Sequence, residues 1–276
     1  MSAFRWLSPA TGYLQGGYTH TLNPYAGCRF GCSYCYVRRL PVALLGGAPW
    51  GEWVRPKSGD PGAIRGELIR AKRKGPVAVF MSSATDPYQP VEAKARITRR
   101  LLEAMAEEPP DFLLVQTRSP LVVRDADLFR RLGGRVLVSV TVETDLEEMR
   151  RALTPGAPPL AARFKALRRL REEGIPVQAA VSPLLPYSPR FVDRLAEAAP
   201  RIVADDYFRG DGSRGVRSRL LGMPERYAAL GLSDWYRPEV LERFAEEALR
   251  RFPPDAVGIS AAGFAPPSRP GPDAPG

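Results

Sequence analysis

Cysteine and histidine are scarce in this sequence of 276 residues, which contains three cysteines and one histidine. An odd cysteine count in a chain of this length argues against a disulfide framework and favours a reducing compartment. No apolar run reaches the length of a membrane span, and the first residues lack the apolar core of a signal peptide. We therefore expect a cytoplasmic protein with no membrane partner.

Acidic residues are also fewer than basic ones. The chain has 40 Lys and Arg against 30 Asp and Glu, which gives a formal net charge of +10. This excess favours association with polyanions such as nucleic acid. The alternative is that many arginines, such as those in residues 163–173, lie on solvated helix faces and pair with nearby acids. Charge alone leaves both interpretations open.

The few cysteines that are present lie together in the segment NPYAGCRFGCSYCYVR. Cys28, Cys32 and Cys35 have the spacing Cys-x3-Cys-x2-Cys. Three thiolates in one loop can each bind one iron of a cubane cluster, which leaves the fourth iron free to bind a substrate or cofactor. This pattern is typical of radical S-adenosylmethionine (SAM) enzymes.

A structural zinc site is the alternative, with His20 as the fourth ligand beside the three cysteines. Zinc modules usually contain two cysteine pairs separated by a longer stretch, and this sequence has no second pair. Gly27 and Gly31 also suit a backbone that curls around a bulky inorganic core. The motif therefore favours an iron–sulfur cluster over zinc.

Apolar runs alternate with amphipathic segments along most of the chain. Strands are predicted at 18–22, 77–81, 112–116, 136–142, 175–181 and 201–205, with helices between them. This alternation predicts parallel βα units, in which polar loops at the carboxyl ends of the strands build the active site. The cysteine loop and the polar residues 82–86 both follow predicted strands. A doubly wound sheet would explain the alternation equally well.

Four parts of the chain are predicted from composition. Residues 1–17 are expected to form a leader that packs loosely over the domain. Residues 18–208 form the core domain, and 209–264 form a helical extension that completes it. Residues 265–276 are Pro-rich and are expected to be disordered.

Four segments, over about residues 18–208, resemble the spore photoproduct lyase-like branch of the radical SAM superfamily. They are NPYAGCRFGCSYCYVR, SSATDPYQPVE, RRALTPGAPPLAARFKALRRLREEGIPV and SPLLP. The resemblance implies an α/β fold, a partial (β/α)6 TIM-like barrel of the radical SAM type. It also implies SAM and a [4Fe-4S] cluster held by Cys28, Cys32 and Cys35. An electron donor such as flavodoxin or ferredoxin is the implied partner, and the reduced cluster would cleave SAM to methionine and a 5'-deoxyadenosyl radical that abstracts hydrogen.

The same resemblance indicates four residues that contact SAM. Tyr34 matches an aromatic residue near the adenine, and Arg118 matches a basic position near the SAM carboxylate. Ser83 and Ser139 stand where polar contacts to SAM are expected. The alternatives are that the serines act as turn or cap residues and that Arg118 forms a surface salt bridge.

Two further residues are catalytic candidates. Tyr36 matches the lyase tyrosine that relays hydrogen back toward SAM, and its alternative role is that of a packed aromatic beside the cluster. Asp86 could handle protons or clamp the substrate. Alternatively, Asp86 orders the Asp-Pro turn, and nearby Glu92 is interpreted as the start of a helix.

One lyase residue has no counterpart in this sequence. The lyase carries a further cysteine near the end of the second strand, which donates a hydrogen atom to the thymine product radical. Residues 82–84 read SSA here, and no fourth cysteine exists. A serine O–H bond is too strong to replace a thiol as hydrogen donor, so we predict that this protein uses its radical differently.

The predicted function is hydrogen abstraction from an unidentified substrate, with a nucleic-acid base, as in DNA photoproduct repair, as one candidate. The net charge and the resemblance both favour that candidate. Radical modification of a peptide or small metabolite is a second interpretation. A non-catalytic, zinc-stabilised nucleic-acid-binding protein is a third.

Overall fold

Ten strands form within residues 4–266, the part of the chain that the computed structural model describes. In chain order they are β1 (Leu7–Pro9), β2 (His20–Leu22), β3 (Tyr25–Gly27), β4 (Val54–Pro56), β5 (Ala78–Met81), β6 (Phe112–Thr117), β7 (Val136–Thr141), β8 (Val177–Val181), β9 (Ile202–Ala204) and β10 (Val257–Ile259). The six predicted strands correspond to β2 and β5 to β9. The remaining four flank this series or hold the cysteine loop.

Eight strands form one sheet in the order β1-β2-β5-β6-β7-β8-β9-β10. Every neighbouring pair in it is parallel except β1 with β2. The strands follow one another in chain order, whereas a doubly wound sheet reverses its order part-way. Within residues 4–266 the two edge strands do not pair with each other. The prediction of a partial α/β barrel is therefore confirmed.

Twelve α-helices accompany the strands in the same part of the chain. They are α1 (Pro41–Leu44), α2 (Ile64–Lys72), α3 (Glu92–Ala95), α4 (Ile97–Glu107), α5 (Ala126–Leu132), α6 (Glu147–Leu153), α7 (Leu160–Glu172), α8 (Phe191–Ala198), α9 (Val216–Leu220), α10 (Met223–Ala229), α11 (Glu239–Leu249) and α12 (Ser260–Phe264). None of the described helices is long and apolar enough to cross a membrane.

The side chains of the parallel strands alternate between two apolar layers, as the pleat requires. Val79 and Val115 pack in the larger layer, between the sheet and its helices. Phe80, Leu114 and Leu137 pack on the other face, in a smaller apolar cluster inside the curved sheet. The inner cluster closes the floor of the barrel, so polar side chains on this face collect at the carboxyl ends of the strands.

The leader packs more tightly than expected. Strand β1 pairs with β2, and Trp6 is only 1% exposed. The buried carboxylate of Glu67 accepts the backbone N–H groups of Trp6 and Leu7, both at 2.9 Å. The expectation of loose packing is wrong from residue 4 onward, because this segment pairs its backbone and buries an indole. The boundaries at 17/18 and 208/209 stay predictions, and the tail from 267 to 276 lies outside the described residues.

Between the predicted strands 77–81 and 112–116, where the alternation predicts one helix, the structure has two, α3 and α4. Arg96 has a φ of 52° and separates α3 from α4. The carboxylate of Glu92 accepts the backbone N–H groups of Thr98 at 3.0 Å and Arg99 at 3.2 Å. Glu92 thus begins one helix, as predicted, and also satisfies orphan donors at the start of the next.

Candidate active site

The cysteine loop leaves the short strand β3 and turns sharply at two glycines. Gly27 and Gly31 have φ values of +79° and +62°. Of the three thiols, those of Cys28 and Cys32 are buried, and that of Cys35 is half-buried. The turns predicted from the glycines are confirmed, and they place three thiols in one short loop.

Two residues hold the backbone of this loop in place. The Arg38 guanidinium donates to the carbonyl oxygens of Gly31 at 2.8 Å and Cys32 at 2.9 Å. From the opposite side, Gly156 lies so close that a Cβ there would come within 2.8 Å of the carbonyl oxygens of Arg29 and Phe30. The TPG sequence before α7 therefore needs its glycine in order to pack against the cysteine loop.

Burial disfavours the thiolate form of all three cysteines. Burial raises the pKa of Cys28 well above its ordinary value, and the charges of Cys32 and Asp86 raise it further. Such thiols ionise readily only when cations are bound beside them. In the part of the chain described, no three His, Cys, Asp or Glu side chains are placed to share one metal ion.

His20 does not take part in this site. It opens β2, hydrogen-bonds to Thr19 at 2.8 Å, and its electrostatic neighbours are Glu67 and Lys74. The cysteines interact instead with Asp86, Arg118 and Glu143 at the carboxyl ends of the strands. This geometry gives no support to the zinc alternative with His20 as a ligand.

Four side chains from separate parts of the chain form a buried polar group beside the loop, which we call the Glu143 network: Tyr34, Arg118, Glu143 and Arg163. Glu143 Oε1 accepts from the Tyr34 hydroxyl at 2.6 Å and from Arg118 Nε at 2.8 Å. Its Oε2 accepts from Arg163 Nη1 at 2.7 Å. The predicted residues Tyr34 and Arg118 therefore meet on a carboxylate that sequence reasoning missed.

The Glu143 carboxylate is held in its ionised form. Burial acts to raise its pKa, but Arg118 and Arg163 outweigh that effect and hold the pKa at about 2. Glu143 follows Ser139 and Thr141 at period two, so the alternation of β7 could have revealed it. Arg163 interrupts the apolar stripe of α7, which is a second available signal.

Five buried side-chain polar atoms lack a hydrogen-bond partner within residues 4–266, and three of them belong to Arg163 or to residues at or beside the ends of β5 and β6. These three are Arg163 Nη2, Gln116 Oε1 and Ser82 Oγ. A buried polar group without a partner is costly, and ligand atoms often satisfy such groups. A guanidinium donor, an amide acceptor and a hydroxyl suit the carboxylate, amino and ribose hydroxyl groups of SAM. The residues present therefore fit this cofactor.

Asp86 is buried in the loop that follows β5 and accepts several hydrogen bonds there. Its carboxylate accepts from the backbone N–H of Tyr88 at 2.9 Å, from the Thr117 hydroxyl at 2.7 Å and from the backbone N–H of Arg118 at 2.7 Å. Burial raises its pKa, and these three donors oppose the rise. The contacts support the turn-ordering interpretation, and a catalytic role for Asp86 stays a prediction.

Two amides, half-buried Asn23 and fully buried Gln89, join the cysteine loop to the same region, and sequence reasoning missed both. Asn23 donates to Ser83 Oγ at 3.2 Å and accepts from the Ala84 N–H at 3.0 Å. Gln89 accepts from the Arg29 N–H at 2.8 Å and donates to the Gly27 carbonyl at 3.2 Å. The segment after β5 is therefore part of the wall that positions the thiols.

Tyr36 reaches the loop in which the lyase has its additional cysteine. Its hydroxyl donates to the Ser83 carbonyl at 2.5 Å. The preceding residue, Ser82, has a φ of 75°, a conformation that non-glycine residues rarely adopt. The structure thus brings Tyr36 and Ser83 together, and leaves a strained serine beside them.

Ser139 is held inside strand β7, beside Gln116 of β6. It is fully buried within β7, and its hydroxyl accepts from Gln178 Nε2 at 3.0 Å. A satisfied serine inside a strand matches the structural alternative. Its proposed contact with SAM stays a prediction.

The sequence of this chain also matches the model of a known protein family. The model of the radical SAM superfamily matches residues 22–200, which include the cysteine loop and the Glu143 network. The chain belongs to the radical SAM superfamily. Radical SAM proteins use a [4Fe-4S] cluster and SAM, the two cofactors that the cysteine loop and the Glu143 network fit.

Similar sequences come from an archaeon and from a bacteriophage. An uncharacterised protein of Methanocaldococcus jannaschii is 32% identical over 170 residues, which cover 62% of each chain. A radical SAM Nα-GlyT isomerase of Pseudomonas phage M6 is 29% identical over 172 residues, covering 59% of this chain and 33% of the isomerase. The match thus spans 62% and 33% of the lengths of these two relatives.

Among solved structures, a spore photoproduct lyase complexed with a dinucleoside spore photoproduct has a similar fold. The TM-score is 0.62 at 14% identity, and the alignment covers 88% of this chain and 76% of the lyase. At this identity the likeness concerns the fold alone. It confirms the expected fold relationship to the lyase branch of radical SAM proteins.

Proposed function

We propose that this radical SAM enzyme abstracts hydrogen from a base of a nucleic acid. In this proposal Cys28, Cys32 and Cys35 hold the [4Fe-4S] cluster. Once reduced, the bound cluster supplies the electron that cleaves SAM to methionine and a 5'-deoxyadenosyl radical. The observation that carries the choice of substrate is a basic, aromatic surface beside the barrel mouth.

The SAM-binding role of the chain rests on the Glu143 network. Arg118 and Arg163 provide two cations at the carboxyl ends of the strands, and one acid orients both. The unpartnered Arg163 Nη2 is available to a carboxylate ligand. The Tyr34 hydroxyl donates to the Glu143 carboxylate as well, and in this proposal its ring borders the adenine of SAM. Ser83 and Ser139 would contribute hydroxyl groups to the SAM site.

Tyr36 and Asp86 have distinct proposed roles. The Tyr36 hydroxyl contacts the loop after β5. From this position it would pass a hydrogen atom between substrate and cofactor. Asp86 accepts the backbone N–H of Tyr88 within that loop and the backbone N–H of Arg118 after β6, so it holds the two strand ends together and positions the reacting region. Residues 82–84 contain no thiol, so the Tyr36 hydroxyl is the hydrogen-atom donor that we assign to this side of the site.

A shallow cavity of about 450 Å³ supports the choice of nucleic acid. Phe208, Arg209, Gly212, Ser213 and Arg214 line it. Phe208 packs on Tyr236, which belongs to the aromatic group beside the cysteine loop. An aromatic ring can stack on a base while neighbouring arginines contact phosphates, as in single-strand binding sites. The net charge of +10 favours the same partner.

The radical chemistry is tested by anaerobic reconstitution with iron, sulfide and SAM, followed by reduction with dithionite. We expect about four irons per chain and formation of 5'-deoxyadenosine, measured by mass spectrometry. Cys32→Ala should abolish both, because it removes one of three cluster ligands. A colourless zinc protein, or full activity of Cys32→Ala, would contradict the assignment.

The substrate class is tested with a labelled single-stranded oligonucleotide. We expect binding that weakens linearly with log salt, and Arg214→Glu should weaken it about tenfold by reversing one phosphate contact. Arg168→Glu, an exposed arginine on α7, is the control and should bind normally. Absence of binding at low salt would overturn the nucleic-acid proposal and leave a peptide or small metabolite as substrate.

A further inference from the structure

An exposed apolar face lies next to the cysteine loop. Nine large hydrophobic side chains are exposed among the described residues, and five of them lie on or directly after two short helices, α1 and α9. Leu45 is 84% exposed, Leu44 65% and Leu220 59%. Exposed apolar side chains grouped in this way mark interaction sites on soluble proteins.

Both helices pack on one short turn, residues 36–39. That turn begins directly after Cys35, and the Arg38 N–H donates to the Cys35 carbonyl at 3.0 Å. Cys35 is also the most exposed of the three cysteines. The apolar face is therefore separated from Cys35 by one short turn.

Unpaired positive charge accompanies these apolar side chains. Arg39 and Arg219 are exposed, and neither forms an ion pair within the part of the chain described. Residues 28–51 contain three arginines and no acid. Helix α9, residues 216–220, contains two arginines and no acid. The face is thus complementary to an acidic surface.

We propose that this donor face, formed by Arg39, Leu44, Leu45, Val216, Arg219 and Leu220, is the docking site of an acidic, ferredoxin-type electron carrier. The carrier is oxidised by one electron, which crosses the turn at Cys35 to the oxidised cluster, and no proton or bond is exchanged. The proposal goes beyond the assignment of the substrate and requires only that the cluster be reduced by a protein.

Large exposed leucines favour a protein partner over nucleic acid at this face. Protein interfaces have an apolar centre and a polar, charged rim, whereas nucleic-acid interfaces are polar and strongly basic. The cavity lined by Phe208 and Arg214 fits the second description, and the donor face fits the first. A second copy of this chain is disfavoured because it would bring Arg39 and Arg219 against like charges.

The experiment measures how fast reduced plant-type ferredoxin is oxidised by the reconstituted enzyme in an anaerobic stopped-flow instrument. We expect a bimolecular rate constant that falls with ionic strength. The double variant Arg39→Glu/Arg219→Glu should lower this constant about tenfold or more and flatten its salt dependence. Leu45→Asp should lower it about tenfold, because it places a charge in the apolar centre.

Matched controls lie on other surfaces. Leu249→Asp on α11 and Arg168→Glu on α7 change an exposed leucine and an exposed arginine, and both should leave the rate constant unchanged. Dithionite needs no docking site, so dithionite-driven formation of 5'-deoxyadenosine should be normal in all these variants. If the wild type failed to form 5'-deoxyadenosine with dithionite, that result would contradict the radical chemistry and would not bear on the docking site.

Three results would overturn the proposal. The first is an unchanged ferredoxin rate in both donor-face variants. The second is a change of oligomeric state in Leu45→Asp on size exclusion, which would assign the face to a second copy. The third is a loss of oligonucleotide binding in Leu45→Asp with normal ferredoxin oxidation. Arg214→Glu should give the reverse pattern, with weaker oligonucleotide binding and a normal ferredoxin rate.

Discussion

Two buried glutamates in this enzyme each lie between arginines, yet their surroundings differ. Glu92 Oε1 accepts from Arg124 at 2.6 Å and from the Arg99 N–H at 3.2 Å, and its Oε2 accepts from the Tyr25 hydroxyl and from the Thr98 N–H at 3.0 Å. We call these five residues the Glu92 network. Glu143 accepts three hydrogen bonds, and its partner Arg163 keeps one buried nitrogen without a partner.

The difference separates a structural acid from an acid of the binding site. Both carboxylate oxygens of Glu92 accept hydrogen bonds from residues of β3, α4 and the turn before α5. Glu92 therefore has little hydrogen-bonding capacity left for a ligand. The Glu143 network lies beside the cysteine loop and leaves Arg163 Nη2 without a partner, which is costly unless a ligand binds. In the Glu92 network Arg99 Nε also lacks a hydrogen bond, but it lies 3.1 Å from the Glu103 carboxylate in an ion pair. Buried charge alone therefore does not mark function, whereas incomplete hydrogen bonding beside the cysteines does.

The largest expected effect is on stability, from Glu92→Gln. Arg124 keeps its ion pair with Asp125, but the loss of charge weakens the bonds that Glu92 accepts from Arg124, Tyr25 and Thr98 in a buried network. The free energy of unfolding should therefore fall by about 3 kcal/mol. Denaturant titration measures this change. SAM affinity of the folded variant should equal that of the wild type, and a weakened affinity would show that Glu92 belongs to the ligand site.

The next effect depends on pH and concerns Asp205, at the carboxyl end of β9. Burial raises its pKa to about 6. The folded state therefore binds its proton more tightly than the unfolded state, and stability falls as pH rises from about 4 to 6. Asp205→Asn removes this loss, so its stability relative to wild type should increase between pH 4 and pH 7, by at most about 3 kcal/mol.

The control for this pH profile is Asp234→Asn, whose carboxyl is 87% exposed. This variant should follow the wild type at each pH in denaturant titrations. A flat difference between Asp205→Asn and the wild type from pH 4 to pH 7 would show that the carboxyl is not perturbed in the folded protein.

A smaller effect is expected from Glu143→Gln on SAM binding. The substitution weakens the orientation of Arg118 and Tyr34, so the dissociation constant for SAM should rise about thirtyfold, equivalent to about 2 kcal/mol. Calorimetry with the reconstituted protein measures it, and Glu92→Gln is the matched control. Tighter binding of SAM would mean that Glu143 competes with the ligand for the arginines.

The smallest effect compares two strained residues. Ser82, beside Tyr36, and Arg96, between α3 and α4, have φ values of 75° and 52°. Glycine adopts such values readily, so Ser82→Gly and Arg96→Gly should each stabilise the fold by up to about 1 kcal/mol. Only Ser82→Gly should also change SAM affinity, because it removes an unpartnered hydroxyl. Equal SAM affinities in both variants would assign Ser82 a purely structural role.

Local features made much of the fold predictable. Runs such as Phe112–Thr117 are short, apolar and bounded by polar turns, so their type and place follow from neighbouring residues alone. The break at Arg96 was missed because the N–H groups that a continuous helix would bond internally are bonded by Glu92 instead. Strand β1 was missed because its partner, β2, and its anchor, Glu67, lie far along the chain.

The candidate site was predictable to the extent that its chemistry lies in one segment. Cys28, Cys32 and Cys35 are found by spacing, because a cluster needs thiols within one loop. Asn23, Gln89 and Glu143 were missed, because an amide or acid in a loop has many ordinary roles and only its contacts distinguish them.

The cofactor chemistry and the alternation of strands and helices could be predicted from the amino-acid sequence, since both depend on residues close together in the chain. The strand order, the separation of His20 from the cysteine site and the meeting of Tyr34, Arg118 and Arg163 on Glu143 emerge only in the folded chain. These outcomes depend on contacts between residues as far apart as 34 and 143. Local pattern cannot contain such information, because burial and the pairing of distant polar groups are settled only when the chain packs.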